Sequence, residues 1–339
     1  MDNKTFPVIQ LAVIFLAMFL TFGINNIAIA SQPKHTVKVI FDTDLDSDVD
    51  DIGALAMLYN LHHAGEIELL GVIVTSDDPY APVCAAALNT FYGLPELPVG
   101  FLKNQTELKH HSRYTKQIAE EFPSGIKTWE DAEDAGQLYR KLLAGNPDES
   151  VSIVTVGHLS SLQELLQSEP DVHSELNGKQ LVGKKVKKWV CMGGQYPQGK
   201  EANFYRPDPA STVYCVSNWE KEVIFCGWEI GNPVITGANW LKEKLDSNHP
   251  VYRGYELYNG FAGRQSWDQI AVLQLFSQGK DLFSTIKGNC IVAPDGSNTW
   301  ENTENGRHQY VVFKQGIAPE TVSKYIDKLM AGEMEILKN

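Results

Sequence analysis

The sequence predicts one α/β domain with a mostly parallel, Rossmann-like central sheet flanked by helices. Three observations carry that expectation. Apolar, strand-like runs alternate with segments of helical periodicity from residue 37 onward. No internal repeat or linker interrupts the alternation. The chain, with 339 residues of which 43% are hydrophobic and 21% charged, can also bury a large core as a single domain.

The elements follow in order. Val37 to Phe41 reads as a buried strand that ends on a run of aspartates. From Asp50 to Ala64, Ile52, Leu55, Leu58 and Tyr59 recur at helical spacing, and Gly65 suits the end. Leu69–Thr75 is the next strand, followed by a helix through Ala85–Phe91. Further strands are expected at Val151–Val156, Trp189–Met192 and Glu222–Phe225. Helices are expected near Asp131–Leu143, Ser161–Leu166, Asp208–Val216 and Asp268–Phe276. Strands separated by helices imply right-handed crossovers and a parallel sheet. Residues 103–130 read as a polar insertion, and residues 288–314 as a late hairpin turning at Gly296-Ser297-Asn298.

The first thirty residues differ from the rest. Lys4 precedes an apolar core from Val8 to Phe22, and Ala28-Ile29-Ala30 forms a small-x-small cleavage site before Ser31. This is the layout of a cleavable secretory signal peptide, with a core short for a membrane span. No cysteine lies near the cleavage site, so no lipid anchor is expected. The expected division is a signal peptide at 1–30 and a domain at 31–339, exported to the periplasm or medium with no stable membrane anchor.

The formal net charge of −13 argues against nucleic acid as a partner. The one basic stretch, Lys184, Lys185, Lys187 and Lys188, reads as a solvated loop leading into a strand. Five widely spaced cysteines contain no CxxC pair. Cys191 and Cys226 lie in apolar runs and read as small buried hydrophobes, and no disulfide pairing is assigned.

Six aspartates fall between Asp42 and Asp51. Carboxylates crowded into a partly buried loop lose hydration and repel one another, so a positive partner is required. Oxygen ligands suit a hard divalent cation such as calcium or magnesium, and without a Cys/His cluster nearby zinc is not expected. An EF-hand starting at Asp42 fails, because Ser47 and Gly53 stand where glycine and glutamate are needed. Asp42-x-Asp44 after a strand also suits a haloacid-dehalogenase-like phosphatase, although Asp46 departs from that pattern. An acidic solvated loop is the plainest alternative. In parallel sheets, ligands bind at the carboxyl ends of strands, where this cluster falls.

Asp42-Thr43-Asp44 through Asp50-Asp51-Ile52-Gly53-Ala54-Leu55-Ala56 resembles the amino-terminal motif of the inosine–uridine-preferring nucleoside hydrolases, in the branch with two additional residues before the Asp-Asp pair. Three later segments match in order: Val154–Ser161; Met192-Gly193-Gly194 with Glu201-Ala202-Asn203 and Asp208-Pro209; and Ser266–Val272. The resemblance implies calcium-dependent hydrolysis of the N-glycosidic bond of ribonucleosides, with nucleosides as small-molecule partners and a homodimer or homotetramer as the assembly. It implies Asp44, Asp51, Asp268 and the carbonyl of Val156 as Ca2+ ligands, Asp50 as general base, and Asp42 as a support for the loop or a ligand. Glu201, Asn203 and Asp78 (or its neighbour Asp77) would meet the ribose. Trp267 stands where many members have a histidine, and resembles purine-specific members in which an aromatic ring stacks on the base. None of the nine histidines matches a catalytic position of the family, and His158 reads as structural. Asp46 and Asp48 receive no role; loop solvation or capping of the next helix is expected for them. A non-catalytic calcium- and riboside-binding protein of the same fold is the alternative.

Overall fold

The computed structural model describes Met1, residues 36–105 and residues 107–338. Apart from Met1, the segment expected to direct export lies outside the described residues. The chain forms β1 (Val37–Thr43), β2 (Ile67–Val74), β3 (Val99–Phe101), β4 (Glu133–Asp134), β5 (Val151–Thr155), β6 (Val186–Met192), β7 (Gln198–Gly199) and β8 (Glu222–Cys226). A two-stranded ribbon of β9 (Ile235–Thr236) and β10 (Arg264–Gln265) follows, then β11 (Phe283–Val292), β12 (Asn298–Asn302) and β13 (His308–Phe313).

Eleven of these strands make one sheet, in the order β4-β3-β2-β1-β5-β6-β8-β13-β11-β12-β7. From β4 to β13 all pairings are parallel, and the last three are antiparallel. Strand order runs outward in both directions from β1: β2 lies on one side and β5 on the other. The space beyond their carboxyl ends is thus the topological switch point, where open α/β sheets form a crevice.

Alternation along each strand explains why both sheet faces are covered. On β1, Val39 and Phe41 join the core on one face and Ile40 the core on the other. On β6, Val190 and Met192 divide in the same way from Trp189 and Cys191. Strands buried on two faces read as continuous apolar runs, which is why the pattern is visible in the sequence. Helix Asp50–His63, with eleven buried residues, is apolar nearly all round and sits inside the first core.

Several boundaries move for identifiable reasons. The helix expected from Asp131 starts at Ala135, because Glu133 and Asp134 pair as β4 and the Asp134 side chain caps the helix at the Gln137 N–H. The helix expected from Ala85 starts at Ala81, with Pro82 in the first turn, where its missing N–H leaves no bond unmade. The late hairpin is a three-stranded meander: β11 pairs with β12 through a turn at Gly296 (φ +80°), and with β13 on its other side.

The lysine stretch is not a solvated loop. Lys184 and Lys185 end helix Gly178–Lys185, and Lys187 and Lys188 belong to β6. Lys188 is buried and donates to the Gln274 carbonyl at 2.7 Å, and burial lowers its pKa to about 7. The polar insertion also has structure of its own, helix Thr115–Glu121 and a 3-10 turn at Trp129–Asp131. All five cysteines are free and buried.

Candidate active site

The acidic loop leaves β1 at Thr43 and enters helix Asp50–His63 within seven residues. Such a short passage forces a sharp bend. Leu45 takes φ +44°, a left-handed conformation that is uncommon for a residue with a side chain, and its buried side chain holds it there. Its N–H donates to Asp51 Oδ1 at 3.2 Å, and the Thr43 hydroxyl donates to the same oxygen. Asp44 packs on Gly157, the residue after Val156: a Cβ there would stand 2.9 Å from the Asp44 backbone nitrogen. Gly157 is therefore what lets the ends of β1 and β5 close on one another.

Asp268 reaches the loop from the far end of the sequence. It sits in the first turn of helix Trp267–Leu273, whose Trp267 and Asp268 N–H groups both donate to Asp50 Oδ2, at 3.2 and 3.4 Å. Carboxylate oxygens of Asp50, Asp51 and Asp268 lie within 4.8 Å of one another, and all three residues are buried. Asp44 stands beside this group, close enough to Asp51 that each carboxyl shifts the pKa of the other.

These four carboxyls share an electrostatic problem. Burial, then repulsion from neighbouring aspartates, raises the pKa of Asp44, Asp50 and Asp268 well above the ordinary carboxylate value. Asp51 rises to about 6 through burial, despite the hydrogen bonds from Thr43 and Leu45 that favour its charged form. The donor set is all oxygen and crowded, and its charge calls for a cation. It fits a hard divalent metal and does not fit a soft one.

Asp42 stands behind this group. It is completely buried; Oδ1 accepts from the Thr75 hydroxyl and Oδ2 from the Tyr139 hydroxyl, each at 2.6 Å. Burial still raises its pKa to about 7. A carboxylate enclosed in this way is unsuited to attack a phosphorus atom, which removes the phosphatase expectation.

The other expected residues divide. Asn203 Nδ2 donates to the Val156 carbonyl at 2.7 Å, so Asn203 and Val156 meet at the carboxyl ends of β5 and β6. Glu201 is buried, accepts from the Asn203 and Gly194 N–H groups at 2.9 and 3.0 Å, and has its pKa raised to about 7 by burial. Phe204 supplies an aromatic ring next to the Met-Gly-Gly turn, so close that a Cβ on Gly193 would collide with it at 2.3 Å. Asp78 is fully buried and committed to the fold: Oδ1 accepts from the Tyr80 N–H, while Oδ2 meets the Thr115 hydroxyl and His110. Asp77 is more exposed and faces His111.

Asp46 and Asp48 stay partly exposed to solvent but do not cap the helix. Its N-cap is Val49, and no side chain caps it. Asp46 pairs with His111, and together with Asp77 it lines a cleft of about 590 Å³ that also meets His158, Arg206 and Asp208. Asp48 turns the opposite way. Its carboxylate accepts from Arg264 Nη2 at 2.5 Å and from the Tyr258 hydroxyl at 3.2 Å, while its carbonyl accepts from the Tyr114 hydroxyl. His110, His111, Tyr114, Thr115, Tyr258 and Arg264 are thus parts of the site that spacing did not reveal. The His110-His111 pair in a polar insertion, and an arginine three residues before Trp267, were the available signals. His158 is buried, with its Nδ1 on the Ser160 hydroxyl and its pKa lowered to about 4 by burial, as suits a structural histidine.

Comparison with known proteins agrees with this geometry. Residues 39–319 match the family described as inosine-uridine preferring nucleoside hydrolase. Among solved structures, a plant nucleoside hydrolase superposes with a TM-score of 0.67 at 17% identity, covering 87% of this chain and 99% of that one. An inosine–guanosine nucleoside hydrolase gives 0.63 at 17% identity, over 88% and 98%. The type III effector XopQ, complexed with adenosine diphosphate ribose, gives 0.58 at 13% identity, over 89% and 94%. No curated protein matches the chain by sequence. These structural likenesses share the fold, and the family match spans the sheet and every acidic residue of the site; the chain belongs to the inosine–uridine preferring nucleoside hydrolases, which are metal-dependent N-glycosyl hydrolases.

Proposed function

We propose that this protein is an exported hydrolase that cleaves the N-glycosidic bond of ribonucleosides with calcium as its metal, and that purine ribosides are its preferred substrates. The observation that carries the reading is the convergence of Asp50, Asp51 and Asp268, two of them adjacent in sequence and the third from the far end of the chain. Asp44, Asp51, Asp268 and the Val156 carbonyl would hold the ion. When bound, Ca2+ supplies charge neutralisation and a lowered pKa for water.

The remaining chemistry belongs to the chain's own residues. Asp50 accepts a proton of the attacking water as the water oxygen bonds to the anomeric carbon; the bond from that carbon to the base breaks, its electron pair leaves on the base, and the base takes a proton from solvent. The two N–H groups on Asp50 Oδ2 hold the carboxylate in one orientation while it does so. Positive charge develops on the ribose ring as the base departs, and a ring of aspartates stabilises that charge. Glu201 and Asn203 are assigned to the ribose hydroxyls, Asp42 to supporting the acidic loop, and Trp267 to stacking on the base.

The discriminating experiment is a side-by-side assay of p-nitrophenyl riboside and p-nitrophenyl phosphate, with Ca2+ and with Mg2+. Release from the riboside alone, dependent on Ca2+, supports the proposal. Ca2+ binding without riboside turnover would leave a binding protein of the same fold.

A further inference from the structure

We propose that Arg264, ion-paired to Asp48, is a positioning residue for the departing base. It sets the place of the Trp267 indole, and thereby where an aromatic base can stack. This rests on the assignment of Trp267 to the base.

Three independent contacts fix the indole. Its Nε1 donates to the Trp228 carbonyl at 2.8 Å. The same ring presses on the Gly231 backbone, where a Cβ would stand 2.3 Å from Cδ1. The Arg264 guanidinium lies over the ring, 4.8 Å from its centroid, as in a cation–π contact. The indole offers a base only what the guanidinium leaves uncovered, so the location of Arg264 is a determinant of stacking.

Arg264 is itself held from several sides. Its backbone belongs to the β9–β10 ribbon, opposite Thr236. Its guanidinium also lies 5.7 Å from the centre of the Tyr258 ring, and its Nε is buried without a hydrogen-bond partner. One strong anchor remains, the 2.5 Å bond to Asp48 Oδ2, and Tyr258 binds the other oxygen of that carboxylate. A planar guanidinium anchored by a carboxylate cannot swivel as a lysine ammonium would. Asp48 lies in the stretch between Asp44 and the Asp50-Asp51 pair, and this contact gives that stretch a purpose: it carries a carboxylate out to the base side of the site.

The test is a double-mutant cycle on the calcium-loaded enzyme with inosine and p-nitrophenyl riboside as substrates. R264Q and D48N are expected to lower kcat/KM for inosine by about 5- to 30-fold, the range of a desolvated cation–π contact. The activated p-nitrophenol leaving group needs little help, so its rate is expected to change by less than about 3-fold, as for a step without leaving-group assistance. In a W267L background the R264Q effect on inosine should vanish, because Arg264 acts through the indole. D48N keeps the shape of a half-exposed side chain, so it tests the anchor even where R264Q folds poorly. An equal R264Q loss in both backgrounds, or an equal loss with both substrates, overturns the inference while leaving Trp267 at the base. If W267L itself leaves inosine turnover unchanged, the assignment of Trp267 falls, and the inference with it.

Discussion

One ten-residue loop holds two populations of aspartate whose charges are answered differently. In the inner group, Asp50, Asp51 and Asp268 are buried and Asp44 half-buried, and burial with repulsion from neighbouring aspartates raises the pKa of all four. The outer pair reaches basic partners supplied by the chain: Asp46 meets His111 and Asp48 meets Arg264. Residues of one chemical type, spaced along one segment, therefore play opposite parts. The outer acids fasten the loop to the insertion and to the β9–β10 ribbon. The inner acids form a concentrated negative site left for a bound cation to complete. A protein could neutralise such a site with lysines, but lysines would fill the space that a substrate and its metal require.

The comparison yields predictions in descending order of effect. Asp50→Asn removes the proposed proton acceptor without removing a ligand, so kcat should fall by about 10²–10⁴-fold while Ca2+ binding, measured by calorimetry, persists. Normal turnover by this variant would assign the base elsewhere. Chelation of Ca2+ should abolish activity and lower the melting temperature. Saturation at about 100 times the Kd should restore roughly 2.7 kcal/mol.

Asp268→Asn should reverse sign with the metal. It should destabilise the calcium-loaded protein by removing a ligand, and stabilise the metal-free protein by removing a buried like charge, by about 1 kcal/mol or more. Thermal denaturation with and without chelator reads both arms, and loss of stability in both would mean that repulsion does not dominate the inner group. The metal-free protein should also respond to pH. Burial raises the folded-state pKa values of Asp42, Asp51 and Glu201 to about 7, 6 and 7 from ordinary values of 3.8, 3.8 and 4.5. The unfolded chain therefore loses those protons first, and stability should decline as pH rises from about 4 toward 7. A metal-free protein most stable at neutral pH would contradict this sign. The smallest effect belongs to the rim: Asp46→Asn should cost about 1 kcal/mol or less, as expected for a partly exposed pair.

The sheet was legible because its strands are buried on both faces, so Val37–Phe41 and Val151–Val156 announce themselves as apolar runs. The inner aspartates were legible because a matching motif surrounds each of them. The partners of Asp46 and Asp48 were not. His111 lies 65 residues beyond Asp46 in sequence, inside a segment whose polarity resembles a loop, and Arg264 lies 216 residues from Asp48. Pairing of that kind depends on tertiary placement, which no local period encodes. Lys188 escapes the sequence pattern for a related reason. A lysine at a strand's amino end looks solvated until a carbonyl from another element, here Gln274, is found to receive it.

The contact between Asp50 and the Asp268 N–H joins residues 218 positions apart. Closing so long a loop costs chain entropy that depends only weakly on its length, and that cost must be met before the site can bind anything. Binding function in this fold therefore depends on residue 268 reaching the acidic loop. A truncation just ahead of Trp267 would retain most of the sheet, with the conspicuous aspartate run intact and chemically inert.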